Sequence, residues 1–459
     1  MTDHATRDSM PSPGFWTLDR VADALGAGPR GPSAVAGIST DTRTVGAGDV
    51  FVALTGENFD AHDFLAAAVE RGCAAVVVSN LAAARGVGVP VYEVPDTLIA
   101  LGALARYRRR AWARPVIAVA GSNGKTTTKE LLRAALGSML VVHATTGNLN
   151  NQVGVPLTLL AIPDDADLAV VEVGTNMPGE IALLRAICEP DVSVMTSIGE
   201  EHLEGLRDLA GVLAEESAVF DGVALAIVPA SQPEIAAAAR ARASRVVTVG
   251  LADGDVHAER ASILEDGRGR LVFEGETITV PLRGEHNLRN AMLALATARA
   301  CGVSAERAAA GIAGMPAPSM RSAWVSLGRA TLINDAYNAN PASARAALDL
   351  LDAVGAGRQR AVVLGTMREL GDGAPALHDE IARRALAGPF DIVAGIGEFA
   401  PALEAAGRGD PRVVTAADVD TLWPVLGPRL AADAVILLKA SRGVRLERLV
   451  PYLEAWAHA

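Results

Sequence analysis

The segment that most constrains the fold is Val116-Ile-Ala-Val-Ala-Gly121-Ser-Asn-Gly124-Lys125-Thr126-Thr-Thr-Lys-Glu-Leu-Leu132. Five apolar residues predict a buried strand, the glycines a tight loop, and the residues from about Thr126 onward a helix. In that order, backbone N–H groups and the helix N-terminus converge on an anion. Lys125 suits the β/γ-phosphates of a nucleotide, and the Thr126 hydroxyl suits a magnesium ion. Longer loops of this kind carry glycine where Val119 stands, so the chain has the shorter G-x-x-G-K-T form. Gly121, Ser122, Asn123, Gly124, Lys125, Thr126 and Thr127 are therefore the candidate phosphate-binding residues.

Composition sharpens the reading of Lys125. Lysine occurs only at 125, 129 and 439 among 41 basic residues, so 38 are arginine. Where nearly every lysine has been replaced, Lys125 and Lys439 mark places that need a compact ammonium instead of a planar guanidinium, while Lys129 reads as a chance survivor. Against 53 acidic residues the net charge is -12, which disfavours a nucleic-acid-coating role because phosphate backbones would be repelled. Apolar runs such as Val435-Ile-Leu-Leu fall short of the roughly 18 residues needed to cross a bilayer. The N-terminus lacks a basic start, an apolar core and a cleavage-like Ala-x-Ala. The expectation is a cytoplasmic protein without membrane insertion. Cys73, Cys188 and Cys301 are odd in number and widely spaced, as reduced core thiols would be.

Two stretches read as joints: the basic run Arg106-Tyr-Arg-Arg-Arg-Ala-Trp-Ala-Arg-Pro115, and Gly314-Met-Pro-Ala-Pro-Ser-Met-Arg321, where prolines forbid a continuing helix. They divide the chain into 1–112, 113–317 and 318–459, each long enough to bury a core. In the middle part, apolar strands near 116–120, 168–173, 192–197, 224–228 and 246–249 alternate with helices, and a small antiparallel pair lies at 269–280. The last part alternates strands near 331–334, 361–364, 392–396 and 434–438 with helices. The fold class is therefore α/β in three domains: a central phosphate-loop domain on a mostly parallel sheet, and a C-terminal Rossmann-like domain.

Partners for a bound phosphate must come from the carboxyl ends of neighbouring strands. Glu172 lies in the apolar strand Leu168-Ala-Val-Val-Glu-Val-Gly174, and a buried carboxylate calls for a cation such as magnesium. His202 follows the strand 192–197 in Ile198-Gly-Glu-Glu-His-Leu-Glu-Gly205, again at a carboxyl end, and is a second candidate metal ligand.

Gly121–Glu130, together with Thr145-Thr-Gly-Asn-Leu-Asn-Asn-Gln-Val-Gly-Val-Pro156, Val171-Glu-Val-Gly-Thr-Asn176 and Glu201-His-Leu-Glu-Gly205, resembles the Mur ligases, ATP-dependent amide-forming enzymes of peptidoglycan precursor synthesis. Asp335-Ala-Tyr-Asn-Ala-Asn-Pro341, Leu364-Gly-Thr-Met-Arg-Glu-Leu-Gly371, Lys439-Ala-Ser-Arg442, Asp41-Thr-Arg43 and the run Gly48–Asp63 are similar to the branch that adds D-alanyl-D-alanine to UDP-N-acetylmuramoyl-tripeptide. The resemblance covers nearly the whole chain in one order. It implies ATP and Mg2+ as cofactors, those two small molecules as substrates, a monomer, an N-terminal UDP-substrate domain and a route through an acyl phosphate. By the same resemblance, Lys125 serves the phosphates, Thr126 and Glu172 hold one magnesium, and His202 with Glu172 approaches a second. Asn287 and Asn290 contact adenine, Asp335 the ribose and Arg321 the phosphates. Asp41, Thr42, Arg43, Asn148, Asn151, Asn338 and Asn340 fall on the substrate side. Lys439 assists near the acyl phosphate or the incoming dipeptide.

One departure stands out. Much of the family carries a carbamylated lysine in the helix after the histidine motif, yet this chain has no lysine between 129 and 439. Alignment places Glu216 there, a side chain that already carries the anionic oxygen pair carbamylation would create. Other readings are a ligase adding the third stem residue, a folylpolyglutamate synthetase, a kinase, or a nucleotide-binding regulator that has lost catalysis.

Overall fold

The computed structural model describes residues 14–56, 59–316 and 320–458. The 317/318 boundary and part of the proline joint lie outside the described residues, as do most of the N-terminal leader and two positions of the run Gly48–Asp63. The chain forms two compact units, one of residues up to Val119 with 140–174 and 179–193, the other of 120–139, 175–178 and 194 onward.

In the first unit, Ile38–Ser39, Val50–Val52, Ala75–Val78 and Val91–Glu93 pair in that order as a parallel four-stranded sheet. Strands Val142–Ala144 and Leu168–Glu172 pair in parallel, and Leu168–Glu172 pairs in parallel with Val116–Val119. Val50–Val52, Ala75–Val78 and Val116–Val119 are apolar and buried along their whole length, as strands covered on both faces are.

Most of the basic run is helical rather than a loop. Arg106–Arg110 lie inside the helix Thr97–Trp112, which Asp96 caps through the N–H groups of Leu98 and Ile99. Arg108 donates to the Ile162 carbonyl at 2.7 Å and pairs with Asp164. Arg109 donates to the carbonyls of Cys188 and Glu189 and to Asp191, each at 2.9 Å. Asp191 also accepts the N–H of Val116 at 2.9 Å. Buried guanidinium groups thus satisfy loop carbonyls that no secondary structure serves. Only Ala113–Pro115 make a turn, with Ala113 closing the helix at φ 56°.

In the second unit, helix Lys125–Leu136 packs against Glu285–Ala300 and Ala305–Ala313. Leu225–Pro229, Val246–Gly250 and Val256–His257 run parallel. The antiparallel excursion has three strands instead of two, Arg260–Ile263 joining Arg268–Phe273 and Glu276–Arg283. Beyond it, Ala323–Leu327 pairs antiparallel with Ala330–Asp335, followed in parallel by Val435–Lys439, Arg360–Leu364, Ile392–Ile396 and Val413–Ala416. Asp335 and Lys439 are register partners at the carboxyl ends of their strands. Cys73 and Cys188 are buried and all three cysteines are free thiols.

Replacing Arg109 by Met should strip two carbonyls and Asp191 of their donor, costing about 2–4 kcal/mol; chemical denaturation followed by fluorescence should show an earlier transition.

Candidate active site

The phosphate loop owes its path to two glycines. Gly121 sits at φ 116°, where a Cβ would stand 2.5 Å from Thr196 Oγ1 and 2.7 Å from the Ser197 carbonyl. Gly124 sits at φ 87°, against the Asn290 amide. The loop is laced to the segment after the strand Val192–Met195: the Ser122 N–H donates to Ser197 O at 2.7 Å, the Gly199 N–H to Ser122 Oγ at 2.9 Å and the Asn123 N–H to Ser197 Oγ at 3.2 Å. The Gly121 N–H donates to Glu216 at 2.9 Å. The N–H groups of Gly121, Ser122 and Asn123 are therefore occupied by protein acceptors. Helix Lys125–Leu136 begins at Gly124 without a capping side chain, and its positive dipole end suits an anion.

Around this loop the second unit buries an unusual set of charges. Glu216 is fully buried at the end of helix Leu209–Glu216, with Oε2 on the Gly121 N–H and Oε1 without a hydrogen-bond partner. Burial pushes its carboxyl up to about 7; the Lys125 charge opposes the rise and the Glu201 charge adds to it. Burial also raises Glu201, against the pull of Lys125 and His202. Lys125 Nζ donates to the carbonyls of Gly121 and Ser122 and stands 3.7 Å from Glu201 Oε1. His202, in a left-handed conformation at φ 51°, places Nε2 3.7 Å from Glu201 Oε2 and Nδ1 2.5 Å from Glu369 Oε2. Sequence reasoning selected Lys125, His202 and Glu216 but gave no role to Glu201 and Glu369, although both stand inside the quoted motifs.

Asn287 and Asn290 are buried on helix Glu285–Ala300 and joined by a 3.2 Å bond, with Asn287 Nδ2 also on the Arg283 carbonyl. Asp335 accepts the Ser322 N–H at 2.8 Å and pairs with Lys439 at 2.6 Å; Lys439 also donates to the Asn338 carbonyl at 2.8 Å. The Lys439 ammonium is thus held by a carboxylate and a carbonyl. Arg321 lies 4.1 Å over the Tyr337 ring, between two left-handed residues, Met320 and Ser322. Asn340 caps helix Pro341–Val354 and donates through Nδ2 to Asn123 Oδ1 at 3.0 Å, so it joins the C-terminal sheet to the phosphate loop.

The remaining candidates belong to the first unit. Glu172 is buried, its Oε1 accepting from Asn150 at 2.8 Å. Asn151 accepts the N–H groups of Val153 and Gly154, and the Asn148 carbonyl takes the N–H of Asn150. Asp41 is held down to about 2 by its hydrogen bonds from Arg43, forming an exposed pair beside Thr42.

Among the described residues, no three His, Cys, Asp or Glu side chains form a metal cage. Magnesium asks for less, since it keeps several waters and takes one or two carboxylates besides phosphate oxygens. The unpartnered Glu216 Oε1, buried beside Glu201, matches that donor set.

Gly121→Ala should abolish nucleotide binding, measured by calorimetry, because the Cβ would strike the backbone of Ser197. Glu216, with its folded value above the ordinary 4.5, binds its proton more tightly folded than unfolded. Its stabilising effect is present in full below pH ~4.5 and is lost as pH rises through about 7. Thermal midpoints of the metal-free protein should fall over that window, with a shallower slope in Glu216→Gln.

Three family models match the chain: the Mur ligase family catalytic domain over 34–109, the Mur ligase middle domain over 119–298 and the Mur ligase glutamate ligase domain over 320–442. Curated relatives named UDP-N-acetylmuramoyl-tripeptide--D-alanyl-D-alanine ligase include one from Bacillus subtilis, 34% identical over 90% of this chain and 92% of its own. One from Escherichia coli is 33% identical over 95% and 98%. Among solved structures, MurF from Acinetobacter baumannii superposes with a TM-score of 0.89 at 32% identity, covering 97% of this chain and all of that one. MurF from Thermotoga maritima in complex with ADP gives 0.82 at 25%, covering 92% and 97%. Folylpolyglutamate synthase from Mycobacterium tuberculosis, at 0.62 and 22% over 77% of this chain and 93% of that one, shares the fold alone. With family models matching 34–109, 119–298 and 320–442 and relatives at 33–34% identity along most of both chains, the chain belongs to the Mur ligase family.

Proposed function

We propose that this chain is the ATP-dependent ligase that joins D-alanyl-D-alanine to UDP-N-acetylmuramoyl-tripeptide, working as a cytoplasmic monomer with domains at 1–112, 113–317 and 318–459. The observation that carries the reading is the phosphate loop with Lys125 set against Glu201 and Glu216, in a chain that matches relatives of that name along nearly their full length. No helix among the described residues is long and apolar enough to cross a membrane, in keeping with soluble nucleotide-linked substrates.

Amide formation from a free carboxylate needs a better leaving group than oxide. The tripeptide's terminal carboxylate attacks the γ-phosphorus of ATP, the bond to the β-phosphate oxygen breaks, and an acyl phosphate and ADP result. The dipeptide amine then attacks the acyl carbon and releases phosphate. Lys125 and Arg321 neutralise charge spread over the transferring phosphoryl oxygens, the largest contribution in phosphoryl transfer. The first turn of helix Lys125–Leu136 adds its N–H donors and positive dipole end. Asn340 on Asn123, with Arg345 on Glu200 at 3.3 Å, seats the C-terminal sheet on the phosphate loop, which supports keeping water from the acyl phosphate.

His202 and Glu216 fit a magnesium ion here, and Thr126 and Glu172 carry magnesium roles from the family resemblance; when bound, the ion would polarise phosphate oxygens. Glu216 supplies without modification the anionic oxygens that a carbamylated lysine provides elsewhere in the family. Lys439 holds Asp335 at the carboxyl end of its strand, and Asp335 in turn fixes Ser322 beside Arg321.

The test is phosphate release from ATP with UDP-linked tripeptide, with and without D-alanyl-D-alanine. A ligase requires both acceptors, whereas turnover with neither identifies a kinase-like or regulatory protein. Lys125→Ala should lose about a hundredfold or more in rate. Glu216→Ala should be inactive, and wild-type activity should not respond to bicarbonate; full activity of Glu216→Ala would dismiss its role.

A further inference from the structure

Of the motif Lys439-Ala-Ser-Arg442, the mechanism uses the lysine and leaves the arginine without a role. Strand Val435–Lys439 ends beside Asp335, and the chain then passes Ser441, whose buried hydroxyl accepts the Arg368 N–H at 2.9 Å and donates to the Ala339 carbonyl at 3.2 Å. Arg442 thus springs from a backbone that is held on both sides. Its guanidinium carbon lies 6.0 Å from the centre of the Tyr337 ring, the same ring over which Arg321 stands at 4.1 Å. The Tyr337 N–H donates to the Met320 carbonyl at 3.3 Å, which ties the ring to the segment carrying Arg321.

These two guanidinium groups keep their donors open. Elsewhere the chain spends its arginines on carbonyls and carboxylates, as at Arg109 and Arg412. Among the described residues, the Arg321 side chain makes no hydrogen bond. Arg442 meets only the Met320 sulfur at 3.1 Å and, at 3.5 Å, the Glu447 carboxylate, with its side chain 59% exposed. Two like charges facing one ring repel each other, and a shared anion relieves that repulsion. Planar forks with open donors fit a carboxylate or a phosphate.

We propose that Arg442 binds the terminal carboxylate of the incoming dipeptide, in an anion site that it shares with Arg321 across Tyr337. The inference rests on the reading of the chain as a D-alanyl-D-alanine ligase with Arg321 on the phosphates. The phosphates already have Lys125, Arg321 and the start of helix Lys125–Leu136. A dipeptide whose side chains are methyl groups offers only its carboxylate as a charged handle, and the mechanism assigns nothing to hold it. The spacing suits that ligand. Joined end to end, the two ring distances keep the guanidinium carbons within about 10 Å of each other. An extended two-residue peptide spans ~7 Å, so an amine at the acyl carbon beside Arg321 leaves its carboxylate within reach of Arg442.

The probe is D-alanyl-D-alaninamide, which keeps the attacking amine and both methyl groups but carries an uncharged amide in place of the carboxylate. Product formation by the full chain is measured with each acceptor at saturating ATP and UDP-linked tripeptide. Wild type should prefer the acid by about 10- to 100-fold in kcat/KM, the worth of a charged hydrogen-bonded pair. Arg442→Gln should lose that preference through a raised KM for the acid, with KM for ATP in place and the amide used as well as by wild type, which also shows the variant to be folded. Arg442→Lys, which keeps the charge without the fork, should fall between. An undiminished preference for the acid in Arg442→Gln overturns the proposal, as does a loss confined to KM for ATP, which would assign Arg442 to the phosphates. No product from wild type with the acid would sink the ligase reading itself and this site with it.

Discussion

The site depends on keeping two glutamates in a place where water cannot reach them. Glu201 and Glu216 are buried beside the phosphate loop, and an uncompensated carboxylate there would cost several kcal/mol. The protein offsets that cost with a single ammonium, a backbone N–H and a nearby imidazole, and it still leaves one oxygen of Glu216 unpartnered. Such an arrangement is tense without a cation and relaxed with one. It also explains why Lys125 escaped the replacement of lysine by arginine: a guanidinium could not sit on the carbonyls of its own loop while facing Glu201.

The C-terminal sheet supplies order more than charge. Its parallel strands end together, which brings Asp335 and Lys439 into register and places Ser441 where its hydroxyl accepts the Arg368 N–H and donates to the Ala339 carbonyl. From those strand ends come the Asn340 cap, Arg345 on the following helix and Glu369, which reach Asn123, Glu200 and His202. Arg321 is held by the face of Tyr337 between two left-handed neighbours, Met320 and Ser322, which restrict the freedom of its side chain.

Strands were the most legible elements, because a run buried on both faces is apolar from end to end; Val116–Ala120 and Ile392–Ile396 fall where the pattern put them. The phosphate loop was legible because glycine at 121 and 124 answers a backbone demand that shows in sequence. Glu216 was singled out through an absence, the missing lysine, and its carboxylate accepts the Gly121 N–H of the loop. Glu369 and Glu201 were not found, because their significance lies in partners distant along the chain, and nothing in local spacing joins 369 to 202. The role of the basic run was hidden for a related reason: the arginines clustered at 106–110 look like a solvated stretch until the carbonyls and carboxylates of 162–191 are seen opposite them.

That clamp decides where the chain can be cut. An N-terminal fragment ending at Trp112 would carry Arg108 and Arg109 into solvent, and the remainder would keep bare carbonyls at Ile162 and Cys188 and an Asp191 bereft of its arginine. Neither piece would be a clean half. A piece made for isolated study should therefore keep the helix Thr97–Trp112, which the Asp96 side chain starts, together with the residues of 162–191 that its arginines serve.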